Sequence, residues 1–177
     1  MKKAIVVFSG FTESKLESTG SYKLWQSMFG PYKDDVEVIW MLEWNEDPKK
    51  NAEFLNRIGV SECLVCAYSW GAGFGLREFA KAFDGQIGAV LCDPVFRSKF
   101  PWMRWRALTK HLVPTIKYPE NVEVLRWFNQ TQNQPGADNV ATRCAVETLP
   151  YKHSEIDDSP EYHQAALEEA YFFINGD

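Results

Sequence analysis

Hydrophobic residues along this chain form short continuous runs that alternate with longer amphipathic stretches. Six short runs predict buried β-strands, at residues 3–9, 36–42, 62–68, 87–93, 122–128 and 142–149. Helices are predicted between them, at residues 20–30, from Asp47-Pro48 to Gly59, at 70–83, and after Ser159-Pro160. Continuous apolar strands separated by helices are typical of a parallel sheet covered on both faces. The pattern therefore predicts a three-layer α/β/α fold with a mostly parallel central sheet of about six strands.

Residues 94–121 interrupt this alternation. The length of 177 residues fits one domain over 1–177, with this segment as an excursion at the carboxyl edge of the sheet. The excursion interleaves basic and aromatic side chains: Arg97, Lys99, Phe100, Trp102, Arg104, Trp105, Arg106 and Lys110. This composition fits either a small lid over a binding site or an amphipathic connecting helix with a solvated basic face.

Charge and cysteine usage exclude several classes of protein. The chain has 24 acidic and 19 basic residues, a net charge of −5, so we expect no nucleic-acid partner. No apolar run reaches the roughly 20 residues of a membrane span, and no secretory signal is recognisable after Met1. Cys63 and Cys66 lie three apart on a predicted strand and so face opposite sides, which disfavours a metal site or a disulfide. We expect a cytoplasmic protein, and the sequence does not indicate its oligomeric state.

The stretch VCAYSWGAGFG, residues 65–75, joins the third predicted strand to the third predicted helix. A tight turn at Ser69 would strain its backbone and lift its hydroxyl clear of the surface. Such a turn brings positions 67 and 71 together, and both are small, Ala67 and Gly71. The first N–H groups of the helix would then point toward the serine and could stabilise an oxyanion. The alternative interpretation is a serine that only caps a glycine-rich helix.

The residues A-Y-S-W-G resemble the nucleophile elbow of α/β-hydrolases. Ala67 replaces the first glycine of that motif, as it does in some lipases of the superfamily. The resemblance implies a catalytic serine, an acid and a histidine in that chain order. His153 follows the last predicted strand and fits the base, whereas His111 and His163 are interpreted as structural or solvated.

The acid is predicted at Asp93, which ends the fourth strand and precedes Pro94. Small hydrolases of bacterial and phage genomes resemble this chain in that Asp-Pro pair and in a final H-S/T-x-I-D motif, here residues 153–157. Most members of the superfamily carry the acid one strand later, where the first carboxylate of this chain is Asp138, the alternative acid. Asp93 could otherwise be a turn residue before a proline.

The resemblance also implies an oxyanion hole and a substrate site. The backbone N–H groups of Trp70 and Phe11 are the predicted oxyanion donors, the second from the loop after the first strand. The predicted substrate-binding residues are Gly10, Tyr68, Trp102 and Arg104.

Together these features resemble a minimal α/β-hydrolase fold that lacks the first two strands of the superfamily. The implied function is a serine hydrolase that cleaves an ester or related acyl bond of a small-molecule substrate through an acyl-enzyme intermediate. No metal or organic cofactor is implied. A thioesterase, amidase or acyltransferase would use the same residues, and a non-catalytic binding module that retains the fold is the alternative from a different class.

Overall fold

The core consists of two hydrophobic clusters that lie on opposite faces of one parallel sheet. In this computed structural model the described residues are 2–8, 10, 20–32, 34, 36–41, 47–94, 116–131, 140–141 and 143–176. Their strands are β1 (Lys2–Phe8), β2 (Glu37–Met41), β3 (Val60–Tyr68), β4 (Gln86–Cys92), β5 (Ile116–Lys117), β6 (Val122–Gln130), β7 (Val140–Ala141) and β8 (Val146–Leu149). Six of these form the central sheet, in the order β2-β1-β3-β4-β6-β8, and every neighbouring pair is parallel.

Helices cover both faces of the sheet. They are α1 (Gly20–Phe29), α2 (Pro48–Arg57), α3 (Leu76–Ala82) and α4 (Pro160–Asn175). Short turns of helix accompany them: 3₁₀ turns at Gly30–Tyr32 and Ile156–Asp158, and a π-helical turn at Gly71–Gly75 directly before α3. None of the helices in the described ranges is both long enough and apolar enough to cross a bilayer.

Strand residues alternate between the two clusters, which explains the continuous apolar runs. In β1, Ala4 and Val6 pack with residues of α2 and α3, whereas Ile5 and Val7 pack with residues of α1 and α4. A strand that is buried on both faces needs apolar side chains at every position. The predicted three-layer arrangement with a six-stranded parallel sheet is therefore confirmed.

The start of α2 shows that a local signal can set an element boundary. Asp47 is the N-cap, and its Oδ1 accepts a hydrogen bond from the Lys49 N–H at 3.1 Å. Pro48 occupies the first helical position, where it loses no intrahelical hydrogen bond. Gly59 follows the helix with φ +82°, a conformation that favours glycine. Both ends of α2 agree with the prediction.

Two elements differ from their predictions. The predicted helix over 70–83 is interrupted, because residues 71–75 form a π-helical turn before α3 begins at Leu76. The predicted strand over 142–149 contributes only Val146–Leu149 to the sheet, and Leu149 is its one buried residue. As an edge strand that is mostly exposed, it has little apolar surface to define its length. The two residues of β7 pair instead with β5 in a small second sheet.

The sheet places four chain segments at one edge. Because all its strands run parallel, the carboxyl ends of β1, β3, β4 and β8 meet there. The strand order also reverses beside β1, which pairs with β2 on one side and β3 on the other. Open α/β sheets bind ligands outside the carboxyl ends of their strands, near such a reversal. The segment 94–121 leaves this edge, but only 94 and 116–121 lie within the described residues, so the lid stays a prediction.

Candidate active site

Ser69 lies at the junction between β3 and the helical segment that follows, as predicted. Its φ is +52°, a left-handed conformation that is uncommon for any residue except glycine. Ala67 and Gly71 on either side are both small and both buried. The serine itself is only 4% exposed, so its hydroxyl does not protrude from the surface, contrary to the prediction. The hydroxyl instead faces a neighbouring side chain.

That neighbour is His153, in the loop between β8 and α4. Its Nε2 lies 2.8 Å from the Ser69 Oγ, within hydrogen-bond distance. The imidazole is 24% exposed, more than the serine, so it forms the open side of the pair. A histidine that contacts a serine hydroxyl in this way can accept its proton when the other ring nitrogen is protonated.

Asp93 contacts that other nitrogen. It directly follows β4 and is fully buried, and its Oδ2 lies 2.5 Å from the His153 Nδ1. Its backbone is held by a hydrogen bond from its N–H to the carbonyl of Phe128, at 2.8 Å, and its φ is +41°. A carboxylate at Nδ1 favours the tautomer with the proton on that nitrogen, which leaves a lone pair on Nε2. Ser69, His153 and Asp93 thus form one continuous hydrogen-bonded chain.

Tyr68 and Gly10 lie against this chain. The Tyr68 hydroxyl donates a hydrogen bond to the backbone carbonyl of His153, and its ring lies beside the imidazole, with centroids 5.2 Å apart. Gly10 is buried against the ring of the tyrosine, so close that a Cβ there would come within 2.7 Å of the Tyr68 Cε1. Both residues were predicted as substrate contacts, and that role stays a prediction.

Trp70 follows the serine with helical backbone angles, φ −61° and ψ −39°. Its N–H therefore belongs to the first turn after the elbow, the position expected of an oxyanion donor. The other predicted donor, Phe11, lies outside the described residues. So do the alternative acid Asp138 and the predicted substrate contacts Trp102 and Arg104, together with His111.

His163 is buried within α4 and packs edge-on against Trp25, with ring centroids 5.1 Å apart. Burial lowers the pKa of His163, and a hydrogen bond with the backbone of Asp157 opposes this shift. The His163 ring also lies beside that of Tyr162, and both Trp25 and Tyr162 belong to the hydrophobic cluster between the sheet and helices α1 and α4, in agreement with a structural role.

The cysteines offer no reactive thiol in the core. Cys63 and Cys66 lie in opposite clusters, as predicted for positions three apart on a strand. Burial raises the pKa of these two thiols and of Cys92, so all three are protonated at neutral pH. Across the described ranges, no three His, Cys, Asp or Glu residues are grouped so that they could hold a metal ion.

Two features of the site were not found from the sequence. One is the hydrogen bond from Tyr68 to the His153 carbonyl, and the other is the π-helical turn behind the serine. In that turn, the carbonyl of Ala72 accepts a hydrogen bond from the hydroxyl of Tyr118, which lies near the end of the excursion. Because every residue has a backbone carbonyl, the sequence does not show which carbonyl accepts a side-chain hydrogen bond. The three clustered glycines of GAGFG were the one available signal for an irregular turn.

Comparisons with known proteins identify the fold. No family model and no curated protein sequence matches the chain. Among solved structures, the chain is similar to SrfTE, a thioesterase domain that cyclises the lipopeptide antibiotic surfactin. The two share 11% identity with a TM-score of 0.50, and the match covers 99% of this chain and 92% of the other. At this identity the similarity shows the fold alone, and it confirms the predicted α/β-hydrolase fold.

Proposed function

We propose that this protein is a serine hydrolase that cleaves an ester or related acyl bond, with Ser69, His153 and Asp93 as its catalytic triad. The observation that carries the proposal is the continuous chain of hydrogen bonds, 2.8 Å from serine to histidine and 2.5 Å from histidine to aspartate. This constellation recurs on unrelated folds and is recognised by its geometry rather than by sequence position.

The chemistry begins at the serine, which is a poor nucleophile until a base accepts its proton. Ser69 Oγ attacks the acyl carbon as its proton moves to the His153 Nε2, and the carbonyl oxygen becomes an oxyanion. Asp93 stabilises the imidazolium that forms, without taking up the proton itself. When the carbonyl re-forms, the bond to the leaving group breaks, and the leaving group receives the proton from His153.

Water completes the reaction. It attacks the acyl-enzyme carbonyl and gives a proton to His153, and the second tetrahedral intermediate then releases the acid. Ser69 leaves with the proton from the imidazolium, which restores the starting state. The N–H groups of Trp70 and Phe11 are the proposed donors to both oxyanions, and the positive end of the following helical segment favours the same charge.

The thioesterase domain with the same fold supports a second candidate within this chemistry, in which the scissile bond is a thioester. A thioester and an oxygen ester pass through the same acyl-enzyme, so the triad does not distinguish them. Matched substrates would do so: the same acyl group presented as a p-nitrophenyl ester and as a thioester of a small thiol. A kcat/KM ratio that favours the thioester at least tenfold would assign the thioesterase.

An active-site-directed fluorophosphonate followed by peptide mapping tests the proposal. We expect covalent labelling at Ser69 in the wild type and none in Ser69→Ala or His153→Ala. Ser154→Ala is the matched control, because it removes the hydroxyl of an exposed serine next to His153 and should leave labelling unchanged. A folded wild-type protein that does not react, and that hydrolyses neither substrate, would indicate a binding module instead.

A further inference from the structure

We infer that Tyr68 is a positioning residue that holds the catalytic base at hydrogen-bond distance from the nucleophile. The inference rests on the proposed function and extends it, because it assigns a role to the residue directly before Ser69. His153 comes from a loop rather than from a strand or a helix. That loop must be held in place if the Nε2 is to stay 2.8 Å from the serine Oγ.

Tyr68 contacts His153 at two places. Its hydroxyl donates a hydrogen bond to the backbone carbonyl of His153, which ties down the loop at this residue. Its ring lies beside the imidazole, with a centroid distance of 5.2 Å and an interplanar angle of 31°. The tyrosine is 8% exposed, so the hydroxyl that makes this bond is largely shielded from competing water. The backbone and the side chain of the base are therefore held by one neighbour.

Gly10 packs closely against the ring of the tyrosine. A Cβ at this position would lie 2.7 Å from Cε1 and 2.9 Å from Cδ1 of Tyr68, closer than such atoms approach. The ring of Tyr68 therefore packs directly on the backbone of residue 10, which limits how far the ring can move. Glycine is required here for a close approach of the chain to an aromatic ring.

Chain connectivity places the tyrosine next to both other members of the proposed triad. Tyr68 is the last residue of β3, paired with Cys92 of β4, and Ser69 follows it directly. Asp93 follows Cys92 in the same way, so the nucleophile and the acid each come directly after one residue of the same strand pair. The tyrosine holds His153 next to these two residues. We therefore expect loss of the Tyr68 hydroxyl to lower the rate of the chemical step rather than the affinity for substrate.

Tyr68→Phe tests the inference because it removes the hydroxyl and keeps the ring. A neutral hydrogen bond of this kind predicts a loss of about threefold to tenfold in kcat for a p-nitrophenyl ester, with KM changed by less than about twofold. The rate of fluorophosphonate labelling at Ser69 should fall by a similar factor. Tyr151→Phe is the matched control, since that hydroxyl bonds Glu161 instead of the loop carbonyl, and its kinetics should equal those of wild type.

A second readout does not depend on activity. The proton between His153 Nδ1 and Asp93 should exchange with water faster in Tyr68→Phe than in wild type or Tyr151→Phe, measured by NMR. Gly10→Ala places a Cβ against the same ring and should change kcat and proton exchange in the same direction. Unchanged labelling, kcat and exchange in a folded Tyr68→Phe would overturn the inference and leave the hydrolase intact. Unreactive wild type with accelerated exchange in Tyr68→Phe would instead reject the function and retain the positioning role.

Discussion

Replacement of Asp93 by asparagine is the sharpest test of the triad, because it changes one atom of a fully buried side chain. The carboxylate accepts a hydrogen bond from His153 Nδ1 at 2.5 Å, and asparagine has nearly the same volume. An amide NH₂ in this place would donate to Nδ1, so the ring proton would move to Nε2. His153 would then offer a donor, not an acceptor, to the Ser69 hydroxyl. The loss of activity should therefore come from the wrong tautomer rather than from misfolding.

The expected magnitude follows from this loss of the base. In a serine triad, an asparagine at the acid position lowers kcat by about 10⁴, which corresponds to roughly 5.5 kcal/mol of activation free energy. Asp93→Asn should therefore show a decrease of this order, with KM changed only a few-fold. The other oxygen of Asp93, Oδ1, has no hydrogen-bond partner among the described residues, so the substitution breaks no further hydrogen bond among them.

Steady-state hydrolysis of a p-nitrophenyl ester measures the effect, with thermal unfolding followed by circular dichroism as the check on folding. Asp138→Asn is the matched comparison, because Asp138 is the alternative acid that the superfamily pattern suggests. Asp93→Asn with more than about a tenth of wild-type kcat, beside a large loss in Asp138→Asn, would refute the assignment of the acid.

Two further predictions concern stability. Gly85→Ala should lower the free energy of unfolding by about 2 kcal/mol in urea, because its Cβ would lie 2.2 Å from the backbone oxygen of Ser61; an unchanged urea midpoint would contradict this contact. Burial lowers the pKa of His163 from its ordinary 6.5, so the unfolded chain takes up that proton first as pH falls. The stability that the neutral ring contributes is therefore complete above about pH 6.5 and is lost as pH falls toward the folded-state pKa. His163→Gln should reduce the dependence of unfolding free energy on pH between about 7 and 5, and equal slopes in the two proteins would count against the shift.

Most of the sheet could be predicted because burial on both faces leaves a strong trace in the sequence. Every residue from Ala4 to Phe8 is buried, and the run is correspondingly apolar. The prediction was less accurate where a strand is partly exposed, because burial then constrains its sequence less. Val146 of the edge strand β8 is 42% exposed, and the strand extends less far than its apolar residues suggested.

The candidate site was predictable to the extent that it depends on strand ends. Ser69 directly follows a predicted strand and Asp93 is the last residue of another, and parallel pairing brings strand ends together whatever residues lie between them. The Tyr68 contact was not predictable, since it joins residues 85 apart in sequence through a backbone carbonyl. The sequence assigned Tyr68 to substrate, a role that the arrangement does not test, and Phe11, Trp102, Arg104 and Asp138 stay predictions because they lie outside the described residues.

Backbone strain gives an independent argument for chemistry at this edge of the sheet. Ser69 and Asp93 are the non-glycine residues with positive φ among those described, at +52° and +41°. A left-handed conformation costs an ordinary residue roughly 1–2 kcal/mol, and glycine at either position would avoid that cost. The two strained residues directly follow Tyr68 and Cys92, which are paired across adjacent strands, and both contact the imidazole of His153. A protein that only binds a ligand needs neither the strained conformation nor these two side chains. A catalytic triad needs the hydroxyl and the carboxylate, and here the strained backbone holds both against one histidine. Because strain of this kind persists where the surrounding structure enforces it, its coincidence with the hydrogen-bonded chain favours an enzyme over a binding module.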